Sequence, residues 1–392
     1  MKDIAIYTLT SELHDEQAVD AVTRTFLESL DIDSQLRGSD YTDYGTHDLN
    51  LIYVRTGGTE AIFKRLVETG NIGTTQPVHL LTSGKSNSLA ASMEILSWLR
   101  QQGIGGEILH GSAEYIHRRI TLLAQAGRVR RQLQGCRLGI IGQPSDWLIA
   151  SHADKDAVKS QLGIELVDIA MDEVLCLRGE RREERGERND DGEERYDIYR
   201  ALRQIIERHR LQGFTLRCFD LLTALHDTGC MALARLNSEG LVAGCEGDVP
   251  AMLSMMIVRA LLGVSGFQAN PASIDVETGE MVFAHCTIPL DMVERYELDT
   301  HFESGIGTGI RGYMKTGPVT VFKVSGDLKR WFVAEGELLR NEAKPDLCRT
   351  QQVIRLNDPQ QAQYFLTNPI GNHHIIMPGH HREVIEEIFR EV

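Results

Sequence analysis

The sequence predicts an α/β protein with two Rossmann-like α/β domains followed by a mostly antiparallel, barrel-like β domain. Short apolar runs alternate with amphipathic helical stretches in the first third of the chain, which is typical of a parallel βαβ sheet. The same alternation restarts at the run RLGIIG, whereas hairpin-like strands dominate the last third. We therefore predict domains at residues 1–135, 136–275 and 276–392.

Each predicted strand of the first two domains is a short apolar run followed by a polar loop or a helical pattern. In the first domain the runs are IAIYTL, LNLIYVRT, VHLLTS and EILHG. In the second domain they are RLGIIG, IELVDIA and LRCFDLL, preceded by RRQLQGC, a helical pattern that ends on Gly135. Ligands bind at the carboxyl ends of parallel strands, so the polar residues after these runs are candidate contacts for a small molecule.

The third domain is predicted from strand-like runs separated by Gly, Pro and Asp. These runs are MVFAHCTIP, PVTVFKVSGD, KRWFVAEGEL and RTQQVIRL. The final segment, HREVIEEIFREV, has apolar residues at helical spacing and is predicted to be an amphipathic helix. Between Arg178 and Arg195 nearly every residue is charged and the two signs balance, so a solvated loop or a helix extension is expected there.

Composition and charge restrict the classes of partner. With 392 residues, of which 42% are hydrophobic and 25% charged, the chain resembles a soluble globular protein large enough to form a cleft. A net charge of −15 opposes nucleic acid and anionic membranes as partners, because both require clustered Lys and Arg. Seven scattered cysteines without a CxxC pair, and no signal-peptide or membrane-length apolar run, predict a cytoplasmic protein that binds a small molecule.

Four short segments place chemically useful side chains at predicted element ends, where sites are usually built. They are CEGD, QANP, AHC and GNHH, which contain Glu246, Asn270, His285 and His373. Glu246 precedes VPAMLSMMIVRALLGV, a run that is apolar on all sides and is therefore predicted to be a buried helix. A carboxylate at the start of such a helix indicates either metal binding or catalysis, or helix capping by Glu246 or Asp248.

Several segments resemble the L-fucose isomerase family and, more distantly, the L-arabinose isomerases. The carboxy-terminal likeness is carried by CEGDVPAMLSMMI, QANP, AHCTIP and GNHHIIMPGH, and the amino-terminal likeness by TGGTEAIF, SNSLAASMEIL and GQPSDWLIAS. The likeness covers nearly the whole chain except the charged run. It implies an aldose–ketose isomerase that depends on a divalent metal, typically Mn²⁺, and acts on a monosaccharide. It also implies a homo-oligomer, often a hexamer, with active sites between subunits.

The resemblance implies a set of ligands for the metal ion. The family's metal-binding Glu falls on Glu246 and its metal-binding His on His373, and a further His of the arabinose isomerases approximately matches His285. The family's second carboxylate, an Asp, falls on Asn270. That amide can ligate through its oxygen, but it brings no negative charge and cannot accept a proton. By resemblance, Glu246 and Asn270 therefore occupy the catalytic positions.

The expected chemistry interconverts an aldose and a ketose through a cis-enediol. A base moves a proton between adjacent carbons, and a divalent ion stabilises the two oxygens on which charge develops. The alternative is a noncatalytic sugar-binding or sensory protein that has lost the second carboxylate. Contacts to the sugar are predicted at Trp147, Asp146 and Arg311. The GxGxxG spacing around Arg311 is a weak dinucleotide signal, because hairpin patterns surround it.

Overall fold

A computed structural model describes residues 3–73, 76–177 and 191–390 of the chain. These residues form two compact units, the first comprising Met1–Arg131 with Glu383–Val392 and the second Gln132–Arg382. The predicted division into three domains remains a prediction. Most of the charged run, residues 178–190, lies outside the described residues, and a helix is described from Asp191 onward.

The first unit is built on a parallel sheet whose five strands lie in the order β2-β1-β3-β4-β5. This arrangement confirms the parallel sheet predicted from the alternating apolar runs. Both faces are covered, because alternate residues of the first strand enter two separate apolar cores. The strands are β1 (Ile4–Leu9), β2 (Gln35–Gly38), β3 (Leu49–Val54), β4 (Val78–Leu81) and β5 (Gly106–Leu109).

Helices connect these strands, and the predicted amphipathic helix at the end of the chain is confirmed. That last helix buries four apolar side chains on one side, Val384, Ile385, Ile388 and Phe389, as its helical spacing requires. The helices are Glu16–Ser29, Glu60–Glu68, Ser88–Gln101, Ala113–Leu133 and Arg382–Arg390, with a 3-10 turn at Lys85–Asn87.

A buried ion-pair network attaches the last helix to the helix Ala113–Leu133. The carboxylate of Glu387 is fully buried and accepts hydrogen bonds from two guanidinium nitrogens of Arg119, at 2.5 and 2.8 Å. Arg119 also donates to Glu107 on β5, and the more exposed Arg390 lies 3.0 Å from Glu387. Because a buried carboxylate is costly without its partners, removal of one partner should be far more damaging than loss of a surface pair.

Arg119→Met should lower the free energy of unfolding by about 3 kcal/mol, because it removes the main partner of the buried Glu387. Arg118→Met is the matched control, since Arg118 neighbours it on the same helix but is exposed. The control should change stability by no more than about 0.5 kcal/mol. Chemical denaturation of both variants measures the difference, and equal stabilities would contradict a stabilising role for the network.

The second unit begins with a smaller parallel sheet in the order β7-β6-β8-β9. The run LRCFDLL was predicted as a strand, and this is wrong. The strand ends at Leu216, where a tight turn forms as the Cys218 N–H donates to the Leu216 carbonyl at 2.8 Å, and the following residues are helical. The strands are β6 (Arg137–Ile141), β7 (Glu165–Ile169), β8 (Gly213–Leu216) and β9 (Val242–Cys245). The helices are Lys155–Leu162, Asp191–His209, Phe219–Leu225, Cys230–Ser238 and Val249–Leu262.

A closed, antiparallel barrel of six strands follows in the same unit, which confirms the predicted barrel-like region. Around the barrel the order is β10-β11-β16-β15-β14-β17. The barrel strands are β10 (Phe267–Ile274), β11 (Glu280–His285), β14 (Gly317–Val324), β15 (Trp331–Glu342), β16 (Thr350–Leu356) and β17 (His374–Pro378). A separate hairpin is formed by β12 (Arg295–Asp299) and β13 (Gly309–Tyr313), and short helical turns cover Leu290–Met292, Pro359–Gln363 and Tyr364–Thr367.

The helix Val249–Leu262 packs against strands of both the parallel sheet and the barrel. Twelve of its side chains are buried, which confirms the prediction of a buried helix. Asp248 caps its amino terminus by accepting a hydrogen bond from the Ala251 N–H at 2.7 Å, and Gly263 ends it with a φ of 80°. Within the part of the chain that the structure describes, no helix is both long and apolar enough to cross a bilayer.

Candidate metal centre

The backbone at Glu246 is held in an uncommon conformation directly after β9. Glu246 has a φ of 63° and Gly247 a φ of 72°, so two successive residues adopt the left-handed region. A Cβ on Gly247 would lie 2.3 Å from the carbonyl oxygen of Gln143, which leaves room only for glycine. The Ser145 N–H donates to the Glu246 carbonyl at 3.0 Å, so the loop after β6 and the loop after β9 are held together at this point. Backbone strain in a non-glycine residue at a strand end is a feature of functional sites.

Gly247→Ala should destabilise the protein more than the same substitution at Gly263, although both glycines have positive φ. Nothing lies within 4 Å of a Cβ at Gly263, so that variant bears only the conformational cost of about 1 kcal/mol. At Gly247 the clash with the Gln143 carbonyl should add about 1–3 kcal/mol and displace the Glu246 loop. Chemical denaturation of both variants tests this prediction. Equal losses in the free energy of unfolding would show that the loop of Gln143 moves away from the loop of Glu246 at no cost.

Three further candidate residues lie at one end of the barrel because of strand register. Asn270 on β10 pairs with Ala284 on β11, so His285 is next to that pair. On its other side β10 pairs with β17, where Ala269 faces His374, so His373 lies at the same level. The register therefore brings the amide and the two imidazoles to one rim, although the segments are far apart in sequence.

The carboxylate of Glu246 meets both imidazoles at this rim. Its Oε1 lies 3.4 Å from Nε2 of His285 and 3.5 Å from Nε2 of His373. One ligand atom from each residue lies within 4.8 Å of the others, a spacing that can hold a metal ion. The opposite nitrogens are fixed, since Nδ1 of His285 bonds Oγ1 of Thr287 at 3.0 Å and Nδ1 of His373 bonds Asp248 at 2.9 Å. Both Nε2 atoms consequently face the carboxylate.

Two buried polar atoms of this group make no hydrogen bond to any described residue. They are Oδ1 of Asn270 and Nε2 of His373. Buried polar atoms are nearly always paired, so an amide oxygen and an imidazole nitrogen without a hydrogen bond at this rim indicate space for a cation. Carboxylate, amide and imidazole donors together suit Mn²⁺ or a similar divalent ion. The residues present therefore fit the implied metal.

Charges around Glu246 favour a positive charge between the carboxylate and the rings. Burial opposes ionisation of Glu246, but His373 and His285 outweigh this cost and hold the pKa of its carboxyl well below the usual range. Burial also disfavours a charged His373, whereas Glu246 and Asp248 raise the pKa of this imidazole to about 9. The centre is thus electrostatically suited to a cation.

The three predicted sugar contacts have different surroundings. Trp147 donates its indole N–H to Oε2 of Glu246 at 2.8 Å and remains 51% exposed, with Phe219 packed edge-to-face against its ring. Asp146 forms a two-pronged ion pair with Arg217. Arg311, on β13, is paired with Asp299 at 2.9 Å. Of these three side chains, Trp147 is the one that contacts the candidate metal centre directly.

Sequence reasoning missed Lys323 and the full role of Asp248. Lys323 is buried on β14 and lies 3.2 Å from Oδ1 of Asp248, which in turn contacts His373. A single Lys inside the apolar run PVTVFKV was the available signal, because a buried ammonium requires a counter-ion. The identity of that counter-ion, 75 residues away, could not be read from a local pattern.

Comparison with known proteins finds relatives that are named as sugar isomerases. Sulfoquinovose isomerases from Priestia aryabhattai and Priestia megaterium are each 26% identical to the chain over 235 residues, or 54% of this chain and 53% of the relative. A sulfoquinovose isomerase from Alkalicoccus urumqiensis is 23% identical over 278 residues, or 64% of this chain and 63% of the relative. The chain thus spans about half the length of the two Priestia proteins. No family model matches it, and the narrower resemblance to L-fucose isomerase is not shown by these relatives.

Proposed function

We propose that the chain is a metal-dependent aldose–ketose isomerase that acts on a monosaccharide through a cis-enediol. The observation that carries this proposal is the convergence of Glu246, His285 and His373 at the end of a parallel strand, on a rim to which the barrel register also brings Asn270. The names of the relatives give independent support for sugar isomerisation. Proton transfer between adjacent carbons needs a carboxylate and a charge-stabilising centre in one place, and this rim offers both.

The divalent ion would be held by four residues, Glu246, Asn270, His285 and His373. Mn²⁺ is the ion to use first in binding experiments, because it suits these donors. When bound, such an ion supplies Lewis-acid stabilisation of sugar oxygens. The protein's part is to fix the donors before substrate arrives. The barrel register sets the positions of Asn270 and both imidazoles, while the constrained turn at Gly247 sets that of Glu246.

Proton transfer is proposed for Glu246, whose two oxygens have different surroundings. Oε1 faces the imidazoles and Oε2 accepts the Trp147 indole N–H, so the carboxylate is held in one orientation. Oε2 lies on the side of the exposed indole, where it could take the proton from one carbon of the sugar and return it to the adjacent carbon of the enediol. Asn270 contributes an oxygen but no basic group, so the carboxylate of Glu246 carries the proton.

Trp147 is proposed as the platform for the sugar. An exposed indole whose N–H is already bonded offers an apolar face to the C–H side of a pyranose or an open-chain sugar. The relatives are named for sulfoquinovose, so this sulfonated sugar is the first substrate to test. Arg311 remains the proposed contact for an anionic group, although its charge is balanced by Asp299.

The test combines metal analysis with a substrate screen. The purified chain is stripped of metal, reloaded with Mn²⁺ and offered pentoses, hexoses, deoxy sugars and sulfoquinovose, and each ketose product is quantified. We expect turnover of at least one aldose that is lost with chelator and restored by Mn²⁺. Sugar binding without turnover of any aldose would overturn the proposal and favour the noncatalytic sugar-binding alternative.

Assembly and location are further proposals. By the resemblance, we propose a homo-oligomer, often a hexamer in that family, and the seven scattered cysteines without a CxxC pair favour the reducing cytoplasm. Light scattering of the full chain measures the oligomer directly. If the chain is a monomer in solution and still converts an aldose to a ketose, an active site shared between subunits is excluded.

A further inference from the structure

Three charged or titratable groups are buried together behind the candidate metal centre. Asp248 and His373 are fully buried, and Lys323 is 1% exposed. Oδ2 of Asp248 lies 2.9 Å from Nδ1 of His373, and its two oxygens lie 3.2 and 3.3 Å from the Lys323 ammonium. Oδ1 also caps the helix Val249–Leu262 through the Ala251 N–H at 2.7 Å. The carboxylate therefore serves three donors at once.

We infer that Asp248, which is paired with Lys323, is a positioning residue that holds Nδ1 of His373 and thereby directs Nε2 of that ring into the metal centre. An ionised carboxylate only accepts hydrogen bonds, so Nδ1 of His373 must carry the proton. The ring proton is then absent from Nε2 when the imidazole is neutral, and Nε2 can act as a ligand. This inference rests on the proposed metal-dependent function.

The charge balance explains why a lysine accompanies the aspartate. The charges of Asp248 and Lys323 cancel each other. Among the proposed ligands, Glu246 is therefore the residue that offers a negative charge to the ion. Without the lysine, a second carboxylate charge would be buried near the centre at high cost. A pure capping role does not account for the pair, because Asp154 caps the helix Lys155–Leu162 while lying exposed.

Asp248→Asn is the decisive variant. The amide oxygen can still accept from the Ala251 N–H, so the cap is preserved. The NH₂ group then lies beside His373 and can only donate, which forces Nδ1 to accept and moves the ring proton to Nε2. We expect the dissociation constant for Mn²⁺ to rise by about 10- to 100-fold in calorimetry on the metal-stripped protein. Asp154→Asn, the control cap, should leave this constant unchanged.

Two further measurements keep the inference testable if Asp248→Asn does not fold. In the parent chain loaded with zinc as a diamagnetic probe, ¹⁵N spectra of the histidines should show His373 protonated at Nδ1. Lys323→Met should lower thermal stability but leave Mn²⁺ affinity at least equal to that of the parent, because it removes a positive charge near the ion while Asp248 still accepts from Nδ1 of His373. Weaker Mn²⁺ binding in this variant would overturn the assignment of the positioning role to Asp248.

Distinct outcomes overturn distinct statements. Parent-like Mn²⁺ affinity in Asp248→Asn, an equal loss in Asp154→Asn, or a His373 proton on Nε2 in the zinc form would each overturn the positioning role. Failure of the parent to bind Mn²⁺ or zinc would overturn it as well. If the parent binds metal and Asp248→Asn weakens it, but no aldose is converted, the positioning role stands and the proposed isomerase activity fails.

Discussion

Glu246→Gln should reduce aldose turnover by about 10³-fold or more and weaken Mn²⁺ binding by at least about 100-fold. The substitution keeps the shape of the side chain but removes the negative charge between the two imidazoles and the group proposed to carry the proton. The amide could still accept the Trp147 indole N–H, so the fold around the strained turn should persist. Calorimetry gives the metal affinity, and ketose formation gives the rate.

The control for this variant removes the same charge away from the centre. Asp220→Asn is suitable because Asp220 is a half-exposed partner of Arg217 in the same unit. It should retain parent-like metal affinity and rate. A Glu246→Gln protein with near-parent turnover would remove Glu246 from the mechanism, and one with lost turnover but unchanged metal affinity would leave it only the proton-transfer role.

Much of the fold followed from local patterns in the sequence. The runs that became β1, β3, β4 and β6 are short and apolar on both faces, as strands covered by helices require. The barrel strands were visible as apolar runs between turn residues. LRCFDLL misled because its apolar residues suit either a strand or a helix, and only the tight turn at Cys218 separates the two.

The site was predictable as segments but not as a network. Each of CEGD, QANP, AHC and GNHH could be singled out, because Glu, Asn and His stood beside residues that end elements. Their convergence depends on barrel register, in which one residue of slip would turn a side chain to the other face. The contact between Asp248 and His373 spans 125 positions, so no local pattern contains it.

Asn270→Asp should tighten Mn²⁺ binding by at least about tenfold, because it places a second carboxylate where an unpaired amide oxygen now lies. In the metal-free protein the same change sets two buried carboxylates against each other, so thermal stability should fall. Added Mn²⁺ should therefore raise the melting temperature of the variant more than that of the parent.

The matched control is Asn237→Asp, since Asn237 is a buried amide whose oxygen and nitrogen both form hydrogen bonds. It donates to the Ala243 carbonyl at 2.9 Å and accepts from the Ala243 N–H at 2.8 Å. The control should lose stability without any gain in metal affinity, because the Asp carboxylate cannot donate and leaves the Ala243 carbonyl without its hydrogen bond. Turnover tests whether Asn270 is matched to a substrate that brings its own negative charge to the ion. In that case Asn270→Asp should lower the turnover rate of an anionic sugar more than that of a neutral sugar. Metal affinity equal to that of the parent would remove Asn270 from the proposed ligands and leave Glu246, His285 and His373 as the whole set.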